Sequence, residues 1–152
     1  MGEGTSGVWL ADEAATLNFG AEVAQDMLAR FDGCALVFLH GQLGAGKTTL
    51  VRGLLRALGH SGSVKSPTYT LLEPYELDAL AVYHFDLYRV ADPDELGFVG
   101  IDEIVDGDGL KLFEWADKAE GWLPAADVEI TIEPHTNHAG IIGRKAHLRY
   151  GA

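Results

Sequence analysis

The chain has 152 residues, 47% of them hydrophobic, and a formal net charge of −12, the composition of a globular protein with a core and a length for which one domain is the default. No stretch is long and apolar enough to span a bilayer, and the single cysteine, Cys34, excludes an internal disulfide framework and a multi-cysteine zinc site. The acidity is uneven: positions 84–133 hold 3 Lys/Arg against 14 Asp/Glu, while positions 134–152 hold 3 Lys/Arg and no acid, so the middle of the chain repels a nucleic-acid backbone.

Positions 1–7, MGEGTSG, lack the basic and apolar segments of a signal peptide and read as a loose tail. Asp12 is placed as an N-cap with Glu13 in the first turn. Leu17, Ala21, Ala24, Met27, Leu28 and Phe31 then recur at helical spacing, and Asp32-Gly33 ends that helix. Positions 35–39, ALVFL, form the continuous apolar run of a strand covered on both faces, with Cys34 opening it as a core residue.

Positions 41–48 read GQLGAGKT, a full match to G-x-x-x-x-G-K-[ST]. An apolar strand precedes it, and a helix over 48–58 follows, with Leu50, Val51, Leu54, Leu55 and Leu58 on one face and Gly59 at its end. Gly41, Gly44 and Gly46 permit backbone conformations that a β-carbon blocks. The amides of the loop, those of Leu43 and Ala45 included, then turn inward as an anion site facing the positive end of the helix. Lys47 is expected on the β- and γ-phosphates, the Thr48 hydroxyl on magnesium and Thr49 near the α-phosphate. The expected ligand is a nucleoside triphosphate with Mg2+. No N/T-K-x-D reads guanine, and D-x-x-G at positions 94–97 and 106–109 follows no clear apolar strand, so ATP is favoured.

Positions 61–63 form a loop. Positions 68–74 and 81–86 read as two strands joined across 76–80 in a hairpin. Asp92-Pro93 is a helix start with proline at the first position, and Gly100 and the turn 106–109 frame a second short helix. Strands are expected over 110–114 and 128–132, and 147–150 as a last edge strand. The sum is an α/β three-layer sandwich with a mixed, mainly parallel sheet and its ligand beyond the carboxyl ends of the parallel strands.

A phosphate loop needs a strand-end carboxylate for the metal or its waters. Asp86 and Glu114 each end an apolar run, and spacing alone does not say which holds the metal and which orients water. Between the loop and Asp86, Thr68, Tyr69 and Thr70 follow Pro67 in a segment suited to ordering around a γ-phosphate; the alternative is a strand entrance rich in β-formers. His84 suits a structural hydrogen bond better than acid–base work. Arg89 is expected to pair with a neighbouring carboxylate. Trp115 either stacks on a ligand or packs the sheet edge. Three roles remain open on these residues: an ATPase, a small-molecule kinase with Asp86 accepting a hydroxyl proton, and a nucleotide-gated binding module.

GQLGAGKTTL, SPTYTLLEPY and YHFDLYR followed by LFEWAD closely resemble the TsaE family of bacterial tRNA threonylcarbamoyladenosine biosynthesis, over positions 10–132. The resemblance implies a single P-loop ATPase domain with low intrinsic activity, in the cytoplasm. It implies a protein partner, the TsaD–TsaB complex, which modifies the adenosine beside the anticodon of certain tRNAs, with hydrolysis supporting repeated turnover. It casts Lys47 as the phosphate lysine, Thr48 and Glu114 as magnesium ligands, Asp86 as the catalytic or metal-linked aspartate, positions 68–70 as a switch, and Asp12, Glu13 and Thr16 as neighbours of the base. Two departures stand out: Ala116 follows Glu-Trp where the family commonly has proline, and the basic tail is short.

Overall fold

The computed structural model describes residues 6–42, 44–67, 69–78 and 80–151, with the backbone alone at Ser6, Phe98 and Val99. The elements are β1 (Ser6–Leu10), α1 (Glu13–Phe31), β2 (Ala35–His40), α2 (Lys47–Ala57), β3 (Leu72–Glu76), β4 (Ala81–Asp86), α3 (Ile101–Asp106), β5 (Leu110–Glu114), β6 (Val128–Thr136) and β7 (Ile142–Tyr150). Short 3₁₀ segments run over Pro93–Val99 and Ala116–Ala119.

These seven strands form one sheet in the order β1-β7-β6-β2-β5-β4-β3. The central β6-β2-β5-β4 ladders are parallel, and the β1–β7, β7–β6 and β3–β4 ladders are antiparallel. The sheet is mixed as expected; three of its six ladders are antiparallel, yet five of its seven strands point the same way. Alternation along β2 explains the apolar run there. Ala35, Val37 and Leu39 pack under α1 and α2, while Leu36 and Phe38 face the layer containing Leu96, Ile101 and Ala119. Phe85 and Phe113 stack in that second layer with ring centroids 4.3 Å apart.

Helix α1 starts where its cap predicts: Asp12 Oδ1 accepts from the Ala15 amide at 2.9 Å. It ends at Asp32 in the left-handed region, where the Asp32 and Gly33 amides return to the Leu28 and Met27 carbonyls. Helices α1 and α2 approach closely because both carry glycine at the contact. A β-carbon on Gly20 would overlap the Leu50 carbonyl, and one on Gly53 the Leu17 carbonyl.

Four expectations are corrected. Ser6 and Gly7, read as tail, begin β1, which pairs with β7. The hairpin strand starts at Leu72 rather than at 68, because Leu71 takes a positive φ of 73° and its amide closes a turn on the Pro67 carbonyl. The last strand is nine residues long and lies between β1 and β6, not at the edge. Cys34 precedes β2 and is exposed rather than core.

Candidate functional site

Strand β2 delivers the chain to the centre of the sheet's carboxyl edge, and α2 leaves from there. Two glycines are forced by geometry. A β-carbon on Gly41 would sit 2.5 Å from the Ile132 carbonyl oxygen, and Gly46 turns into α2 with φ 111°. The N-cap of α2 is Gly46, which has no side chain to cap it. The first amides of the helix therefore face outward with the positive end of its dipole, an arrangement that favours an anion.

Lys47, the first residue of α2, is buried. Its Nζ donates to the Gly41 carbonyl at 2.5 Å, lies 3.5 Å from Glu114 Oε1, and sits 4.7 Å from the centroid of the Trp115 ring. Glu114 Oε2 lies 2.6 Å from Nε2 of His84, which is fully buried. Burial pushes the Glu114 carboxyl upward. The hydrogen bond and charge of His84, with the charge of Lys47, outweigh that and hold it below the usual glutamate value. His84 is thus a structural partner, as its type and position suggested.

Asp86 and Glu114 stand directly opposite each other at the ends of parallel β4 and β5. Both are buried. Asp86 Oδ1 accepts from the Tyr88 amide at 3.0 Å, and its own amide donates to the Leu71 carbonyl at 3.0 Å. That last bond ties the segment before β3 to the aspartate. Among the described residues no group of three or more His, Cys, Asp and Glu forms a metal cluster. The oxygen donors of Thr48, Asp86 and Glu114 nevertheless fit a hard cation that keeps waters and takes the rest of its shell from phosphate, the habit of Mg2+.

A cavity of about 320 Å3 is lined by Gly44, Gly46, Lys47, Thr48, Thr49, Ser66, Asp86, Glu114 and Arg144. A second, of about 290 Å3, is bounded by Asp12, Glu13, Thr16, Leu10 and Ile142, and shares Gly46, Thr49 and Arg144 with the first. So the three residues assigned to the base region gather beside the loop. Each also makes a local contact that supports the fold. Asp12 caps α1, the buried Thr16 hydroxyl donates to the Asp12 carbonyl at 3.3 Å, and exposed Glu13 lies 3.9 Å from Arg52. Ala45, within the loop, is buried.

Among the described residues, some expected ones do not line these cavities. Tyr69 is 83% exposed and Thr70 bonds Glu73 at 2.8 Å; neither lines the cavity that Ser66 reaches. Leu43 and Thr68 lie outside the described residues. Trp115 borders a separate cavity with Leu39, Gly41 and Lys47, packs on Tyr88, and has a left-handed backbone, φ 60°. Ala116, the departure from proline, occupies the first position of a 3₁₀ segment, where no N–H donor is required. Among the described residues Arg89 does not take the expected carboxylate. Its guanidinium lies over the Tyr69 ring, 4.5 Å from the centroid. Arg144 was the residue that sequence reasoning missed; its only signal was the basic character of the last strand.

The model of the TsaE family, described as threonylcarbamoyl adenosine biosynthesis protein TsaE, matches residues 10–145. A Haemophilus influenzae protein, named tRNA threonylcarbamoyladenosine biosynthesis protein TsaE, is 48% identical over 126 residues, covering 82% of this chain and 80% of the relative. A Rickettsia bellii protein of the same name is 34% identical over 125 residues, covering 82% and 83%. The crystal structure of Bacillus subtilis YdiB superposes with a TM-score of 0.74 at 25% identity, covering 99% of this chain and 89% of that one. With a glycine loop, an uncapped helix and two facing strand-end carboxylates already joined in one site, this match over nearly the whole length establishes that the chain belongs to the TsaE family.

Proposed function

We propose that the chain is a Mg-ATP hydrolase that supports threonylcarbamoyladenosine modification of tRNA. The reading is carried by one observation: Lys47, Thr48, Asp86 and Glu114 converge on the cavity at the uncapped start of α2. Lys47 and the loop amides hold the β- and γ-phosphates. Thr48 and the two carboxylates supply oxygens to magnesium and its waters, and the ion would neutralise charge developing on the transferred phosphoryl group. Asp12, Glu13 and Thr16 border the base and ribose. Trp115 packs beside the lysine and keeps its ammonium from bulk water.

Hydrolysis by the chain alone is slow in this reading. Among the described residues Arg89 lies over the Tyr69 ring and does not line the cavity, and Arg144, which does, donates to the Ala45 and Gly44 carbonyls; a missing arginine finger costs about 10³–10⁵ in rate where one is normally used. A TsaD–TsaB-type complex in the cytoplasm is the activating partner. The acidic middle of the chain suits a protein partner, with tRNA engaged through that complex rather than directly. Among the described residues no helix is long and apolar enough to cross a membrane. The 152 residues act as a single ATPase domain.

The test is a tRNA modification assay with TsaD–TsaB, Mg-ATP and excess tRNA. Addition of the chain is expected to carry modification beyond one round per complex, and Lys47→Ala to remove that effect. Equal multiple-round yield without the chain contradicts the proposal. Transfer of labelled phosphate to a metabolite faster than hydrolysis would replace it with a kinase.

A further inference from the structure

Successive residues of a strand point to opposite sides of the sheet. On β7, Arg144 turns to the phosphate loop, and its neighbour Lys145 turns to the other side. There a cavity of about 540 Å3 is lined by Gly7, Trp9, His135, Asn137, His138 and Lys145. It shares no residue with either cavity beside the loop. Antiparallel pairing of β1 with β7 sets Trp9 against Lys145, and two glycines make room for both side chains. A β-carbon on Gly143 would sit 2.6 Å from Cη2 of Trp9, and one on Gly7 would sit 2.6 Å from Cε of Lys145. The indole and the lysine stem thus lie over bare backbone. Trp9 meets His135 edge-on, with ring centroids 5.9 Å apart.

The polar groups around this cavity are donors. Among the described residues no carboxylate lines it, and Lys145 has no ion-pair partner. Glu133, opposite Lys145 on β6, is exposed and does not line the cavity. Asn137 Oδ1 accepts from the Ala139 and Ile141 amides at 2.9 and 3.0 Å, which leaves its NH2 group to donate. His135 and His138 each carry a ring N–H. Beside these donors stands the Trp9 ring, 36% exposed. An ammonium, an amide and two imidazoles beside an indole match a ligand with an anion at one end and a flat ring at the other. The volume lies within the roughly 300–1,000 Å3 usual for small-molecule sites. We propose that this cavity is a second ligand site for a small aromatic phosphate of the nucleoside monophosphate class. The ring stacks on Trp9, and Lys145, Asn137 and the two histidines take the phosphate. The inference stands on these residues and not on the nucleotide reading of the loop.

The probes are UMP, uridine, which has the ring without the phosphate, and ribose 5-phosphate, which has the phosphate without the ring. Calorimetric binding at pH 7 is measured with the unaltered protein, Trp9→Ala, Trp9→Phe, Lys145→Ala and Lys47→Ala, each checked for folding by its thermal transition. UMP is expected to bind the unaltered protein, and uridine and ribose 5-phosphate to bind about tenfold or more less tightly. Trp9→Ala and Lys145→Ala are each expected to weaken UMP about tenfold or more, from loss of the stacking ring and of a charge-assisted hydrogen bond. Trp9→Phe, which keeps a ring and guards against a misfolded alanine variant, is expected to recover most of that affinity. Lys47→Ala is expected to change UMP affinity by less than about twofold, because the two sites share no lining residue and independent sites respond independently. No UMP binding by the unaltered protein overturns the proposal. So does UMP binding that follows Lys47 and ignores Trp9 and Lys145, which would place the ligand in the phosphate loop. Hexauridylate is the last probe: Trp9-dependent binding of that strand without binding of UMP would assign the face to RNA and overturn the proposal as well.

Discussion

Replacing Lys47 by Met and Glu114 by Gln, singly and together, measures the buried pair at the floor of the site. Both side chains are about 95% buried, with 3.5 Å between Nζ and Oε1. At that distance and an effective dielectric of 20, the Coulomb attraction is roughly 5 kcal/mol before desolvation is counted. Desolvation offsets much of it, so the pair is expected to contribute little against a well-packed apolar pair. Breaking it from one side is another matter. Glu114→Gln removes the countercharge of a buried ammonium, leaving it the amide oxygen, the Gly41 carbonyl and the Trp115 face among the described residues, and Lys47→Met leaves the carboxylate with His84 as its partner among the described residues. Each single change is expected to cost about 3–5 kcal/mol. The double change is expected to cost less than their sum by about 1–3 kcal/mol. Urea unfolding of the nucleotide-free protein at pH 7 gives all four stabilities. Additivity within about 0.5 kcal/mol would show that the two charges do not support each other, and the reasoning would fail.

Three further outcomes are expected. Gly53→Ala destabilises the protein by about 1–3 kcal/mol through overpacking, although helix propensity alone favours alanine by about 1 kcal/mol; a thermal melt that rises would refute the close α1–α2 contact at Leu17. The stability supplied by the Glu114 carboxylate is complete above the unfolded pKa of about 4.3 and is lost as pH falls through its lower folded value. Unfolding free energy should therefore fall more steeply below that pH in the unaltered protein than in Glu114→Gln, and identical slopes contradict the assignment. Asp86→Asn should leave Mg-ATP binding within about tenfold while lowering partner-stimulated hydrolysis by about a hundredfold or more, from the loss of a group orienting the reacting shell; an unchanged rate places the chemistry elsewhere.

The parts of the site that were legible in the sequence are those whose signal is local. A loop that must present amides to phosphate needs glycine at fixed offsets, and positions 41–48 carry them within one turn of the lysine they serve. Helix α1 announced itself through Asp12 and its apolar spacing. What the sequence left open depends on register between distant segments. Asp86 and Glu114 meet because β4 and β5 pair in parallel at those positions, a fact no spacing encodes. His84 bonds Glu114 for the same reason. Arg144 could be placed at the loop only once β7 was known to run the length of β6. Strand β7 was itself under-read, because Ile142 is 72% exposed and both positions between its buried residues, Gly143 and Ala146, are charged. The start of β3 was misplaced because threonine and tyrosine suit a strand, while the chain at Leu71 turns back on Pro67 instead.

Phosphate release from Mg-ATP, measured for the chain alone and with the TsaD–TsaB complex, tests the proposed function most directly. The expected result is slow release by the chain alone, a rise of about a hundredfold or more on adding the complex, and loss of that rise in Lys47→Ala. A rate that stays the same with and without the complex, or one that survives Lys47→Ala, would contradict it.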